Sequence, residues 1–548
     1  MISNLDVFIS GIYILGIVAV GLWASMRKAG SGGSVSGTYF LAGKTLRWPT
    51  IGLALFATNI SCVHLVSLAQ SGFDSGLLNG NFEWMASFTL ILLALFFVPF
   101  YIKSGVATLP DFLERRYNRA SRDWLTIISI FSAVIIHIAF SLLAGGIVLE
   151  TLFNVNMYVS IIGITVLVGI YTILGGLSAV VITESIQTIV LVLGAVIITA
   201  ACWNQMGGWS AMTAVLESNN EMSRLSMLRP AGDDSGMPWY SIFLGYPILG
   251  IWYWCADQTI VQRVLGAKDE NHARAGALFC GFIKILPVFI FVLPGLFAYA
   301  LAQKGVLNLE SITSIDSSGA AVVNSKGIYT LMIVQLLPAG LIGIVVAALL
   351  SGIMSQVSGA LNSISTLVSY DIFKRVYPET SDKKLVKVGR VSAAICLVIS
   401  ILLLPLLNSY ESLFIGLNDV IAHIAPPITC VFLLGIFWGG ASPKSAQYTL
   451  WIGSLLGIAV YIASKVYPES LIGQIPFMMT AFYLFCICVL LQVSISLIAP
   501  FEHTAESKAL FWKNPFQPLT RPGWTGMGNY KVLSGLLLLI MVVLYSFF

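Results

Sequence analysis

Charged residues are scarce in this sequence. Lys, Arg, Asp and Glu together make up 10% of the 548 residues, and the mean hydropathy is +0.89. A soluble domain usually carries about 25% charged residues, so this shortage excludes a soluble enzyme, a nucleic-acid-binding protein and a disordered chain. The net charge of +4 is too small to indicate a polyanionic partner. Because the apolar residues also fall in long runs from end to end, the sequence predicts a polytopic membrane protein.

Cysteine is absent from the predicted loops. The chain has eight cysteines, and all of them fall within or at the edge of apolar spans. This placement predicts neither a structural disulfide nor a zinc site, and the cysteines are interpreted as small apolar packing residues. The lack of loop cysteines favours a bacterial inner membrane over an animal membrane.

The apolar runs predict about fourteen transmembrane helices. Each run has roughly 17 residues or more, the length that a hydrocarbon core of about 30 Å requires. Runs such as 186–202 lack the strict alternation of a barrel strand, which favours an all-α fold. The predicted spans are 6–26, 48–73, 81–103, 124–153, 157–176, 178–205, 239–260, 271–302, 330–370, 386–407, 411–438, 446–467, 475–498 and 531–547.

The basic residues predict the orientation of these spans. With the N-terminus outside, the inner loops hold 23 Lys and Arg residues and the outer loops hold five, while Lys284 lies inside a span. By the positive-inside rule both termini are therefore expected outside. The first span is followed by Arg27 and Lys28 and preceded by no basic residue, the opposite of a cleavable signal peptide.

Two spans carry polar residues at mid-depth. Thr58–Ser61 interrupt the span 48–73, and Trp252–Gln258 interrupt the span 239–260, which lies five spans later and crosses in the opposite direction. This pattern is typical of transporters built from inverted repeats, in which broken helices meet at the substrate site. Pro426 and Pro427 predict a similar interruption in the span 411–438.

The repeat divides the chain into five parts. An N-terminal helix and inner loop (1–47) precede the first five-helix repeat (48–205). An outer loop (206–238) leads to the second repeat (239–438), and extra C-terminal helices follow (439–548).

Ionisable residues inside spans are candidate functional residues, because each costs on the order of 2.5–3.5 kcal/mol at mid-helix. Lys284 lies too deep to snorkel, and Glu83 is its natural counter-ion; the alternative is a purely structural ion pair. Glu83 itself is a candidate acceptor for ligand hydroxyls or an ordinary interfacial carboxylate. His64 is a ligand contact or a packing residue, and Glu184 is a cation-path carboxylate or an interfacial residue.

The remaining polar residues near span edges are interpreted as structural. Asp257 is expected to form an intracellular ion-pair network with Gln258 and Arg263. The same interpretation covers His137, Glu150, Asp419 and His423.

Several motifs, in order along the chain, resemble the solute:sodium symporter family, and within it the sodium/glucose cotransporter branch. The resemblance covers about residues 38–440. Its motifs are Phe40–Lys44, Ala57–Ser61, Phe82–Trp84, Gly175–Val180, Trp252–Gln258, Gln262–Arg263 and Asn362–Thr366. It implies the five-plus-five inverted repeat of LeuT-type transporters, with additional helices.

The resemblance also implies a sugar site. The matching positions are Asn59, His64, Glu83, Tyr253, Trp254, Lys284 and Asn418, where relatives usually have Gln at position 418. Leu68, Phe82 and Phe414 match the outer gate, and Tyr253 matches the residue that closes the pocket from inside. Fixed amide, carboxylate and ammonium groups suit sugar hydroxyls, and aromatic rings suit the apolar face of a hexose.

For sodium, the resemblance implies the carbonyls of Ala57 and Ile60, the carbonyl of Gly352, and the side chains of Ser355 and Gln356. Many relatives have a second hydroxyl residue at position 356, and an aspartate in place of Glu184. Both departures lie on the cation side of the site.

The leading hypothesis is a sodium-coupled importer of a neutral hexose that works by alternating access, and not an enzyme. The alternatives are a sodium-independent or proton-coupled sugar carrier and a sugar-gated sensor. A carboxylate carrier is disfavoured, because no Arg lies inside a span to bind a carboxylate with two hydrogen bonds. Sodium is expected as the coupling ion, with no organic cofactor, no nucleic-acid partner and a monomer sufficient in the bilayer. The choice among hexoses and polyols such as inositol stays open.

Overall fold

The computed structural model describes residues 2–28, 34–233, 235–315, 321–407, 413–499 and 501–548. Residues 411–412 of the predicted span 411–438, and parts of both predicted outer loops, lie outside these ranges. Within them, eleven helices have the length and apolar composition needed to cross a membrane. The predicted number of fourteen spans stays a prediction.

The chain is almost entirely helical. Its α-helices are α1 (Asn4–Lys28), α2 (Val35–Leu41), α3 (Trp48–Asn59), α4 (Cys62–Ser75), α5 (Asn81–Leu92), α6 (Val98–Ser104), α7 (Leu109–Arg116), α8 (Arg119–Ser132), α9 (Phe140–Phe153), α10 (Met157–Met206), α11 (Trp209–Ser218), α12 (Trp239–Ile251), α13 (Gln258–Leu265), α14 (Glu270–Ile283), α15 (Leu293–Gln303), α16 (Ile328–Leu336), α17 (Leu341–Leu367), α18 (Lys374–Val376), α19 (Asp382–Leu402), α20 (Leu404–Leu407), α21 (Leu413–Phe437), α22 (Pro443–Val466), α23 (Phe477–Ile498), α24 (Ala505–Lys508) and α25 (Tyr530–Phe547).

Shorter elements connect these helices. Five π-helical stretches lie at Leu93–Phe97, Ala133–Ala139, Trp252–Ala256, Val288–Val292 and Val368–Phe373 of the described chain. Single 3₁₀ turns lie at Ala42–Lys44, Gly76–Gly80, Met222–Leu225, Glu310–Ile312, Ser325–Gly327, Gln517–Thr520 and Gly526–Gly528. The strands β1 (Thr313–Ile315) and β2 (Ala321–Val323) pair antiparallel, with Ser314 opposite Val322.

Both predicted breaks are present, and they share one design. The first lies between α3 and α4, where Ile60 and Ser61 are extended and the Ser61 hydroxyl accepts a hydrogen bond from the Val63 amide at 3.2 Å. The second lies between Ala256 and α13, where Asp257 is extended and its carboxylate accepts from the Ile260 amide at 3.2 Å. In each case a short polar side chain caps the second half-helix and satisfies an otherwise free N–H.

The prediction that Pro426 and Pro427 interrupt the span 411–438 is wrong. Helix α21 continues through both prolines. A proline removes one hydrogen bond of the helix and leaves the carbonyl four residues earlier free. Here α22 packs tightly against that point, because a Cβ added to Gly457 would lie 2.2 Å from the His423 carbonyl oxygen. The absence of a side chain at Gly457 therefore lets α22 pack closely against the turn that the prolines weaken.

Helix α10 contains 50 residues, about 75 Å of helix and twice what one crossing requires. It changes direction at Gly176, whose φ of 62° and ψ of −163° are accessible to glycine only. This residue coincides with the predicted boundary between the spans 157–176 and 178–205. The backbone also approaches closely here, since a Cβ on Gly176 would lie 2.4 Å from the Tyr39 carbonyl oxygen.

Replacing Gly176 with Ala should lower the free energy of unfolding by about 1–3 kcal/mol, because the backbone angles and the contact with Tyr39 both disfavour a Cβ. Gly163 on the same helix is the matched control, since a Cβ there meets nothing within 4 Å. Gly163→Ala should change stability by no more than about 1 kcal/mol, in the stabilising direction. Thermal unfolding of the purified variants measures both effects, and equal melting temperatures would contradict the assignment of the bend to Gly176.

Candidate functional site

A cavity lies between the two broken helices. Six of the predicted sugar-site residues line it: Asn59, His64, Glu83, Tyr253, Trp254 and Asn418. They come from α3, α4, α5, the π-helical stretch Trp252–Ala256 and α21. The structure therefore brings together residues up to about 360 positions apart in the sequence.

Lys284 does not line the cavity; it lies directly behind the wall. Its ammonium donates hydrogen bonds to Asn59 Oδ1, at 2.6 Å, and to Glu83 Oε2. The Lys284 Nζ also lies 5.6 Å from the centre of the Trp254 ring. Since the Lys284 and Glu83 side chains are almost completely buried, each charge depends on the other for compensation. Lys284 therefore fixes the positions of Glu83 and Asn59, and the prediction that it contacts the ligand directly is not supported by this geometry.

Aromatic rings cover one side of the cavity. Phe82 and Phe414, two predicted gate residues, contact each other edge to face with ring centres 4.9 Å apart. Phe477, which the sequence analysis did not identify, stacks on Phe82 at 6.3 Å. The third predicted outer-gate residue, Leu68, is buried and lies outside the set of described residues that line the cavity.

Four of the five predicted sodium residues gather at the first helix break. The Ser355 hydroxyl donates to the Ala57 carbonyl at 2.9 Å and lies 3.3 Å from the Gly352 carbonyl. Ile60 follows the last residue of α3 and has an extended backbone. Backbone carbonyls and a hydroxyl are ligands that suit a hard cation, so this group could hold Na⁺.

Gln356, the fifth predicted sodium residue, faces a different direction. It lines the cavity, and its Nε2 lies 2.7 Å from His137 Nδ1. His137, in turn, lies with its Nε2 3.3 Å from Asp257 Oδ1. The sequence analysis interpreted His137 as structural, and the structure places it in the cavity wall.

Glu184 forms a buried ion pair with Arg263 and accepts a hydrogen bond from the Thr58 hydroxyl at 3.1 Å. Gly359 leaves room for this pair, since a Cβ there would lie 2.6 Å from Arg263 Nη2. The expected network between Arg263 and Asp257 is corrected accordingly: Arg263 pairs with Glu184, and Asp257 pairs with His137. The pair between Glu184 and Arg263 links α10 to α13 next to the first helix break.

Comparison with known proteins matches residues 39–453 to the sodium:solute symporter family. The chain belongs to this family. It is 32% identical over 522 residues to sodium/glucose cotransporter 1 of Oryctolagus cuniculus, covering 90% of this chain and 78% of the relative. It is 34% identical over 491 residues to sodium/glucose cotransporter 2 of Rattus norvegicus (85% and 72%), and 31% identical over 553 residues to a sodium/mannose cotransporter of Bos taurus (96% and 92%).

Solved structures show the same fold. A Na⁺-coupled sialic acid symporter in an outward-open state superposes with a TM-score of 0.77 at 22% identity, covering 92% of this chain and all of that one. A nucleobase-cation-symport-1 family transporter superposes with a TM-score of 0.53 at 14% identity, covering 86% and 97%. The fold class predicted from the sequence is confirmed: this symporter is an all-α polytopic membrane protein with a LeuT-type core, and it transports a solute with sodium.

The buried ion pair between Lys284 and Glu83 leads to a prediction about the stability of the protein. Lys284→Met should destabilise the symporter by about 3–5 kcal/mol, because it leaves the Glu83 carboxylate buried without a partner. The double variant Glu83→Gln with Lys284→Met removes both charges and should recover at least half of that loss. The melting temperatures of the wild type, the two single variants and the double variant, measured in the same detergent, provide this comparison. Strictly additive losses would show that the two side chains do not compensate each other.

Proposed function

We propose that this symporter imports a neutral hexose together with Na⁺ by alternating access. The observation that carries the proposal is the cluster of Lys284, Glu83 and Asn59, which presents fixed polar groups to a cavity covered by aromatic rings. A hexose has hydroxyls around its edge and an apolar face, and this combination of groups matches both.

The charge of the cavity supports a neutral ligand. None of the described residues that line the cavity is Lys or Arg. The nearest ammonium, on Lys284, is neutralised by Glu83. A carboxylate ligand would need an unpaired cation or several convergent donors, so a polyhydroxylated neutral solute fits better than an acid.

The proposed cycle assigns a role to each part of the site. Na⁺ binds among Ala57, Ile60, Gly352 and Ser355 and stabilises the outward-open state. The sugar then enters, Phe82 and Phe414 close over it, and release proceeds inward past Tyr253. The proposed sodium ligands and the sugar cavity both include residues of the first broken helix. Binding of Na⁺ therefore alters the affinity for the sugar, and binding of the sugar alters the affinity for Na⁺.

We also infer that the protein lies in a bacterial inner membrane and that both of its termini are on the outer side of that membrane. The support is the 23-to-5 distribution of basic residues between the two sets of predicted loops. Glu184 is proposed to act on the cation path, because its ion pair with Arg263 adjoins Thr58 at the helix break.

Uptake of labelled hexose into proteoliposomes tests the sugar site. Glu83→Ala should raise the KM for the sugar by at least about tenfold, because a hydrogen bond to a charged group contributes about 1.5–3 kcal/mol. Glu217→Gln is the control, since Glu217 is exposed on α11, remote from the cavity. Saturable uptake with equal KM in wild type and Glu83→Ala would reject the assignment of this pocket.

The proposed sodium ligands lead to a separate prediction about the Na⁺ concentration that uptake requires. Ser355→Ala should raise the Na⁺ concentration for half-maximal uptake by about three- to tenfold, because it removes one oxygen ligand. Ser363→Ala, about two turns along the same helix, is the control and should leave it unchanged. An unchanged sodium requirement in Ser355→Ala would contradict the location of the cation site.

Coupling to protons in addition to Na⁺ is the second candidate, favoured by the orientation of Gln356 away from the proposed sodium ligands. Faster uptake when a pH gradient is added to a fixed Na⁺ gradient would support it. An unchanged rate of uptake would exclude proton coupling.

A further inference from the structure

Three polar side chains lie next to one another at the cavity: His137 and Gln356 line it, and Asp257 lies behind His137. Asp257 caps α13, His137 lies in the π-helical stretch Ala133–Ala139, and Gln356 lies on α17. The three side chains are buried. These residues lie where two irregular backbone segments meet the middle of α17. One segment is the unwound residue before α13, and the other is the π-helical stretch Ala133–Ala139. Turns of π-helix are often found at functional sites.

The charge of Asp257 favours one position for the proton of His137. A neutral imidazole has one N–H, and the carboxylate of Asp257 lies 3.3 Å from Nε2 without the alignment of a hydrogen bond. A negative charge at this distance favours an N–H over a lone pair on the facing nitrogen, so we place the proton on Nε2. The lone pair of His137 therefore resides on Nδ1.

The lone pair on Nδ1 then fixes the amide of Gln356. Its Nε2 lies 2.7 Å from His137 Nδ1, and only the amide N–H₂ can donate to a lone pair. The amide oxygen must point in the other direction. Gln356 Oε1 is buried and has no hydrogen-bond partner among the described residues, an unfavourable state that a ligand donor would relieve.

The neighbours of Gln356 line the cavity that is proposed to bind the sugar. Tyr253, Asn59 and Gln356 all line the same cavity. By contrast, Ser355, the adjacent residue on α17, donates to the Ala57 carbonyl and faces the sodium group.

We propose that Gln356 is a sugar-binding residue and not a sodium ligand: its amide oxygen accepts a hydrogen bond from one hydroxyl of the transported sugar. His137 and Asp257 are positioning residues, since they hold the amide in the required orientation. This inference rests on the proposed function and reassigns one of its residues. It implies that adjacent positions on α17 divide the two substrates, with Ser355 binding Na⁺ and Gln356 recognising the sugar.

The test combines a protein variant with altered sugars. Uptake of the preferred hexose and of its monodeoxy analogues is measured in proteoliposomes at saturating Na⁺, for wild type and Gln356→Ala. We expect one analogue to be transported by wild type with a KM about two- to tenfold higher than the parent sugar, the effect of one lost neutral hydrogen bond. Gln356→Ala should raise the KM for the parent sugar by a similar factor and show no further penalty for that analogue.

The sodium requirement provides the contrasting measurement. Gln356→Ala should change the Na⁺ concentration for half-maximal uptake by less than about twofold, whereas Ser355→Ala should raise it and retain the discrimination among analogues. If Gln356→Ala instead raises the sodium requirement and leaves the analogue pattern intact, Gln356 is a cation ligand and the proposal is wrong. Gln356→Asn, which keeps an amide and shortens it by one methylene, gives the same comparison if the alanine variant folds poorly.

Variants of His137 separate positioning from packing. His137→Ala should raise the KM for the parent sugar and weaken its discrimination from the same analogue, with kcat retained. His137→Gln should restore part of that discrimination, because its carbonyl oxygen can accept the Gln356 amide. Loss of kcat without any change in discrimination would contradict the positioning role. An absence of hexose uptake by wild type would reject the proposed function itself, whereas uptake with unaltered discrimination in Gln356→Ala would reject only this assignment.

Discussion

The contact between the ammonium of Lys284 and the carboxylate of Glu83 is the constraint on which the rest of the site depends. An isolated charge inside a bilayer protein costs several kcal/mol, and removing one member of a buried pair exposes that cost. Lys284 meets Glu83 and Asn59 at one point, so α14, α5 and α3 must approach each other there. The packing of these three helices is thereby fixed at the floor of the cavity, where the sugar hydroxyls are proposed to bind.

The second constraint is the need to satisfy backbone groups where helices break. Ser61 and Asp257 solve it in the same way, each with a side chain that caps the following half-helix. The first break leaves carbonyls such as that of Ala57 available to a cation, and the second presents Asp257 to His137. The same capping arrangement thus contributes to the proposed sodium ligands at the first break and to the wall of the proposed sugar cavity at the second. Since α17 contacts both breaks through Ser355 and Gln356, it is the element that connects the two substrates.

The sequence predicted the parts of the site that violate the rules of membrane composition. Lys284 and Glu83 were identifiable because charges inside spans are rare, and the two breaks because polar runs at mid-depth are costly. The place of His137 in the cavity wall was not predicted, since a single histidine in an apolar span does not reveal which helix it faces. The partner of Arg263 and the direction of Gln356 depend on how three helices rotate against each other, which is not encoded in local spacing. The weakened turn of α21 packs against Gly457 of a neighbouring helix, so the effect of two prolines could not be judged from the sequence of α21 alone.

The central claim is that a sodium gradient drives the sugar uphill, and accumulation in proteoliposomes tests it most directly. Vesicles that contain the purified symporter are given an inward Na⁺ gradient and a labelled hexose, and the internal concentration is followed over time. The account predicts that the sugar rises above its external concentration and falls back to equilibrium when a sodium ionophore collapses the gradient. Equilibration without accumulation, or accumulation that the ionophore does not affect, would contradict sodium-coupled sugar import.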